Sequence, residues 1–144
     1  MSRFLNTIAL AVLVAVASYG CSTGNPAGPT QPLSALLGGS WTLVAQQPTG
    51  GEESAPPAGS TFSFEIVDGR AAVRADCNRC NGLASVSGDV VTFGPALACT
   101  RAYCAASAPF DTAFVRLLAD ENRASIDGST LTLRSERGTL RFRR

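Results

Sequence analysis

Residues 61–75 read TFSFEIVDGRAAVRA. On an extended chain Phe62, Phe64 and Ile66 fall on one face and Ser63 and Glu65 on the other, which is the period of a half-buried strand. Asp68-Gly69 follows, and glycine tolerates the positive φ that a tight hairpin turn requires. The stretch therefore predicts an antiparallel hairpin, residues 61–67 against 70–75. The same pattern recurs on both sides. Residues 83–87 and 90–93 flank Gly88-Asp89. Residues 41–44 alternate, with Trp41 and Leu43 on one face. Residues 130–134 and 139–143 flank a Glu136-Arg137-Gly138 turn, with Leu131, Leu133, Leu140 and Phe142 inward. Residues 48–59, rich in Pro and Gly, form a loop. Only residues 107–120 change period: Phe110, Phe114, Leu117 and Leu118 share one helical face. Pro109 suits its first turn, and Ser107 or Asp111 offers a capping oxygen. The expectation is a mainly β (α+β) domain, with about eight short antiparallel strands curled into a small barrel-like sheet and one helix packed on it.

Composition narrows the chemistry. The chain has 144 residues, enough for one domain, and is 45% hydrophobic and 16% charged. Twelve basic residues oppose eleven acidic ones, and all twelve are Arg. Without His there is no Ser-His-Asp or Cys-His catalysis and no His-based zinc centre. Without Lys there is no Schiff base and no P-loop lysine. The near-zero net charge argues against a general nucleic-acid binder. Eleven carboxylates form no recognisable acid/base pair. The expectation is a protein that is not an enzyme and uses no metal or cofactor.

Arg3 is the only charge before Glu52, and an apolar run from Ile8 to Ala17 follows it. Ten residues in a helix reach about 15 Å, half of a hydrocarbon layer of about 30 Å. A positive start, a short apolar core and small residues before Cys21 make a secretory signal over residues 1–20. The stretch resembles a bacterial lipoprotein signal, which implies lipid attachment at Cys21. Residues 21–32, rich in Pro, Gly and small polar residues, then form a flexible tether to a domain at 33–144. Ser22 after the acylated Cys implies outer-membrane sorting, with the protein facing the periplasm.

Four further cysteines remain: Cys77, Cys80, Cys99 and Cys104. An even count in an exported chain favours disulfides, because the periplasm is oxidising. Residues paired across an antiparallel hairpin are placed nearly symmetrically about its turn. Around Gly88-Asp89 this favours nested pairs, Cys80–Cys99 inside Cys77–Cys104; the crossed pairing is less symmetric and stays open. The final C-x4-C step departs from zinc-ribbon spacing. Arg79 inside the CxxC would favour a thiolate, but a strand rather than a helix follows.

Several motifs now stand in order. They are Leu37-Gly38-Gly39-Ser40-Trp41-Thr42-Leu43, Cys77-Asn78-x-x-Asn81-Gly82, Leu97-x-x-Thr100-Arg101-x-x-Cys104, Phe114-x-x-Leu117-Leu118, Gly128-x-x-Leu131-x-Leu133 and Leu140-x-Phe142. Together they resemble the META domain, also called HslJ-like, over about residues 33–144. The resemblance implies a small β-rich barrel-like fold with one helix. It also implies an exported or lipid-anchored setting linked to heat-shock or antibiotic stress, and no established catalytic residues. Cys80 and Cys99 resemble a second cysteine pair found in some members. Asp76 stands where the family usually has Gly, and Ala102 where it often has Met.

Charge is unevenly spread. Residues 22–69 carry four acids and no Arg, whereas residues 123–144 carry six Arg against Asp127 and Glu136. Arg134, Arg141 and Arg143 share an outward strand face. They are candidates for an anionic-surface patch toward lipid head groups, acidic glycan or an acidic partner; the alternative is a solvated face whose Arg residues discourage edge pairing. Trp41 reads as a core anchor and Asp76 as a turn residue. The expected function is a monomeric, lipid-anchored envelope protein that binds a partner or maintains the envelope under stress. The alternative is a secreted inhibitor-like module that uses the Cys77–Cys104 region against a protease or cell-wall hydrolase.

Overall fold

The computed structural model describes residues 31–144. The expected signal peptide, the Cys21 attachment site and most of the tether lie outside the described residues. In chain order the elements are α1 (Leu33–Leu36), β1 (Ser40–Pro48), β2 (Phe62–Val67), β3 (Arg70–Ala75), β4 (Asn78–Ser87), β5 (Val90–Phe93), β6 (Ala98–Cys99), α2 (Phe110–Leu118), β7 (Asp120–Asp127), β8 (Thr130–Ser135) and β9 (Gly138–Arg143). The pairing runs β3-β2-β1-β9-β8-β7-β5-β4, and β4 returns to β3. This closes an eight-stranded antiparallel barrel and leaves β6 as one extra strand. The expected hairpin at residues 61–75 is present, from Phe62↔Ala75 to Val67↔Arg70.

Inward residues of the strands fill the barrel. Trp41, Phe62, Phe64, Phe93, Phe114 and Phe142 are all fully buried. Phe64 meets Phe93 and Phe142 edge-on at centroid separations of 5.3 and 4.9 Å, the arrangement favoured by the ring quadrupole. Helix α2 covers one end of the barrel and lays Phe110 and Phe114 against Phe62. The other end is tied off by Trp41. Its Nε1 donates to the Leu37 carbonyl at 3.2 Å, and the Arg144 guanidinium lies 4.7 Å from its ring centroid. Arg144 also donates to the Leu36 carbonyl at 2.9 Å. The start and finish of the folded chain are thus locked together, and Trp41 is the core anchor its sequence suggests.

Three local expectations change. Asp120–Asp127 is a strand, although it reads DENRASID. Its inward positions are Asn122, Ala124 and Ile126, too polar and too small to show an alternation. Asn122 is tolerated inside because its Nδ2 donates to the Leu118 carbonyl at 3.0 Å. The helix starts at Phe110, and neither Ser107 nor Asp111 caps it. The Ser107 hydroxyl donates instead to Asp76 Oδ2 at 2.8 Å. Finally, β1 runs on to Pro48 through an irregularity between Leu43 and Ala45, so Ala45 and Gln46 are both buried.

Gly138 opens β9 with φ +147°, and a Cβ there would collide with the Gln47 carbonyl oxygen and lie 2.9 Å from Leu117 Cδ2. Gly128 has φ +56° but open space around it. We expect Gly138→Ala to cost about 3 kcal/mol, from strain plus overpacking. Gly128→Ala should cost only about 1 kcal/mol, from backbone strain alone. Urea unfolding of the two variants compares them directly.

Candidate functional site

The cysteines converge at the barrel end covered by α2. Cys77 bonds Cys104 and Cys80 bonds Cys99, the nested arrangement. The reason lies in β4, which gives one edge to β3 and the other first to β6 and then to β5. Cys80 stands opposite Cys99, and Asn81 opposite Ala98. Between this ladder and the one with β5 the register slips by two residues, and Leu97 folds onto Gly82. A Cβ on Gly82 would lie 2.8 Å from Leu97 Cδ2, so the close approach depends on glycine there.

Beyond Cys99 the chain has no regular structure, yet it is fully specified. Asn78 is buried and acts as a surrogate strand. Its Oδ1 accepts from the Ala102 amide at 2.8 Å and from the Thr100 hydroxyl at 2.9 Å. Its Nδ2 donates to the Ala102 carbonyl at 3.0 Å and lies 3.3 Å from Cys104 Sγ. Thr100 is held from both sides of Arg79: its amide donates to the Arg79 carbonyl, and its Oγ1 accepts from the Arg79 amide, each at 3.0 Å. Asp76, in the turn before Cys77, has φ +55°. A positive φ is the conformation that glycine, of all residues, adopts most readily. Asp tolerates the left-handed region better than most residues, and its carboxylate gains the Ser107 hydroxyl. Asp76 is thus a turn residue.

Two covalent staples and one amide therefore hold residues 99–104 against the barrel. They present Arg101 and Tyr103 to solvent; Tyr103 is 85% exposed. Between this segment and α2 lies an open groove of about 850 Å³. Leu97, Ala98 and Val115 supply apolar wall, while Arg101, Tyr103 and Arg116 stand on it. Among the described residues, neither Arg101 nor Arg116 makes a salt bridge. No group of three or more Cys, Asp or Glu suited to a metal ion occurs among the described residues.

Arg134, Arg141 and Arg143 share the outer face of β8 and β9, spread along the hairpin from Arg134 opposite Thr139 to Arg143 opposite Thr130, and all are exposed. Arg141 is engaged by Glu53 at 2.6 Å. Arg134 stands opposite Arg123, which is itself paired with Asp89 at 2.7 Å. Acids from the loop at 48–59 and from the β4–β5 turn thus reach across to this face. The lengthwise charge polarity of the sequence is partly cancelled in three dimensions. Sequence reasoning did not single out Tyr103 or Arg116 as site residues. An aromatic residue between two closely spaced cysteines was the available signal for Tyr103; nothing local marks Arg116.

The family model described as META domain matches residues 34–144. No curated protein matches the chain. Among solved structures, an NMR structure of a protein from Burkholderia xenovorans superposes with a TM-score of 0.62 at 22% identity, covering 97% of this chain and 98% of that one. A second NMR structure gives a TM-score of 0.60 at 19% identity, covering 79% of this chain and 95% of that one. At these identities the likeness is one of fold.

The oxidised, folded protein should show none of these four cysteines as a free thiol in a titration without reductant. Asn78→Ala should cost about 2 kcal/mol, since it orphans buried partners, and should speed hydrogen exchange at the Ala102 amide while leaving the β8–β9 amides protected.

Proposed function

The chain belongs to the META domain family, and from that premise we propose that it is an exported, lipid-anchored contact protein of the cell envelope, working by binding rather than by catalysis. The reading places residues 1–20 as a cleaved signal, Cys21 as the acylated residue and the outer membrane, periplasmic side, as the location. Its role would be in envelope maintenance under stress. Paired cysteines in a small domain fit an oxidising compartment.

The observation that carries the binding role is Tyr103, 85% exposed on a segment held by two disulfides. Exposed Tyr and Arg residues are the commonest anchors of protein interfaces, and a loop already rigid loses little entropy when it docks. Its placement fits a tethered protein. The chain enters through α1 at the end of the barrel where β2 finishes and β9 ends. The staple lies at the opposite end, where β3 finishes and β4 begins. Six residues of β2 separate the ends by about 20 Å, so Tyr103 stands at the barrel end remote from the point where the chain enters. The same rigid, exposed loop favours the second reading, an inhibitor-like module against a protease or cell-wall hydrolase. Arg134, Arg141 and Arg143 are the lesser candidate, for contact with an anionic surface, because Glu53 already occupies Arg141.

Mass spectrometry of the mature N-terminus tests the location: we expect a diacyl- or triacyl-modified Cys21, and an unmodified Cys21 or a cut elsewhere would refute it. A photo-crosslinking residue at position 103 tests the surface. It should give discrete adducts in intact envelopes that the same residue at Thr132 does not, whereas equal labelling at both positions would remove the stapled end from consideration.

A further inference from the structure

We propose that the groove between residues 97–104 and α2 is a docking site for an extended, acidic segment of a partner protein, which adds as a strand to the free edge of β6. The proposal rests on the reading of the stapled end as the contact surface and goes on to name what docks there.

Barrel closure gives the barrel strands partners on both sides. β6 pairs only with β4. The direction of its backbone groups follows from alternation. The Thr100 amide donates to Arg79, and Ala102 exchanges both of its backbone hydrogen bonds with the Asn78 amide. Successive residues of a strand turn these groups to opposite sides, so Cys99, the residue before Thr100, directs its own away from β4. Neither Arg101 backbone group is hydrogen-bonded among the described residues. The edge is short, and Asn78 and the two disulfides fix it in place in advance. Exposed edges of this kind take up an added strand, with main-chain hydrogen bonds giving affinity and flanking side chains giving selectivity.

Charge decides the chemistry of the guest. Arg101 and Arg116 stand on the groove with no ion pair among the described residues. The acid nearest to them in the groove lining, Asp111, is occupied by its own helix start. Its Oδ1 accepts from the Thr112 amide and hydroxyl. Asp76, at the base of the staple, is held by Ser107. Three guanidinium groups elsewhere, on Arg123, Arg137 and Arg141, have carboxylate partners; the two on this groove have none among the described residues and stand beside an unpaired strand edge, free to meet acids from outside. Leu97, Val115 and the Tyr103 ring offer apolar contact between them. A strand with alternating acidic and apolar side chains fits both the edge and its walls.

The test uses the full-length protein in detergent, labelled with ¹⁵N, and three synthetic hexapeptides: alternating Glu and Val, alternating Lys and Val, and the Glu-Val peptide with every second backbone nitrogen methylated. The Glu-Val peptide should shift the amides of Cys99 and Arg101 and those of the first turns of α2. It should bind at least tenfold more tightly than the Lys-Val peptide and weaken as salt rises. Arg101→Glu with Arg116→Glu, both exposed changes whose folding the spectrum itself reports, should reverse the preference. Equal shifts from the methylated peptide would sink strand addition, and equal shifts from the Lys-Val peptide would sink the acidic guest. Anionic vesicles that perturb the same amides without peptide would assign the groove to lipid instead. If the crosslinks at position 103 persist while the Glu-Val peptide has no effect, the contact surface stands and this proposal falls.

Discussion

Strand β4 is the constraint on which the molecule turns. Its residues Asn78–Leu83 pair with β3 along one edge. Along the other edge it pairs with β6 and then with β5. Without the first contact the sheet would stay open, with β3 and β4 as edges exposed to solvent and to other chains. With it, the barrel closes and the phenylalanine core becomes inaccessible. The same strand carries Asn78 and Cys80, so closing the barrel and fixing the stapled segment are one event. Each disulfide removes freedom from the unfolded chain, by roughly 2–4 kcal/mol, and both act where ladder hydrogen bonds run out.

That sharing explains how a small domain supports an irregular yet rigid segment. Residues 100–104 have no continuous strand beside them. A buried amide side chain substitutes for one, and the cysteines bracket it. The cost is local: Asp76 is held in the left-handed region, and Gly82 must stay bare beneath Leu97. The gain is a surface whose shape does not depend on a partner being present. The opposite end of the barrel serves a different purpose. There Trp41, Arg144 and α1 lock the two ends of the fold together, at the point where the preceding chain enters.

Much of the fold was legible because the strands that enclose large residues announce themselves. Phe62, Phe64 and Ile66 alternate with polar residues, and Asp68-Gly69 can hardly be read except as a turn. Hairpin symmetry about Gly88-Asp89 favoured the nested disulfides without closing off the crossed pairing, and the structure shows the nested one. Strand β7 was not legible. Its inward face is Asn122, Ala124 and Ile126, and it is held by neighbours on both sides rather than by its own hydrophobicity. Ser107 misled for a related reason: a hydroxyl beside a helix start is a cap only if no better partner is near, and Asp76 is contributed by a segment 31 residues away.

The sequence by itself determined the class of fold, the family and the absence of His- and Lys-based chemistry, because these depend on residue type and on short-range periodicity; the pairing of the cysteines it favoured but left open, and the structure decided it. Only the tertiary structure decided which charges are available and where the chain is open. Glu53 reaches Arg141 across 88 residues, and Asp89 reaches Arg123 across 34. Half of the six Arg residues in the most cationic run, Arg123, Arg137 and Arg141, are paired with carboxylates. Arg101 and Arg116, unremarkable in sequence, meet on one groove beside the free edge of β6. Ion pairing and edge exposure depend on distances between remote segments, and those distances exist only once the barrel has closed.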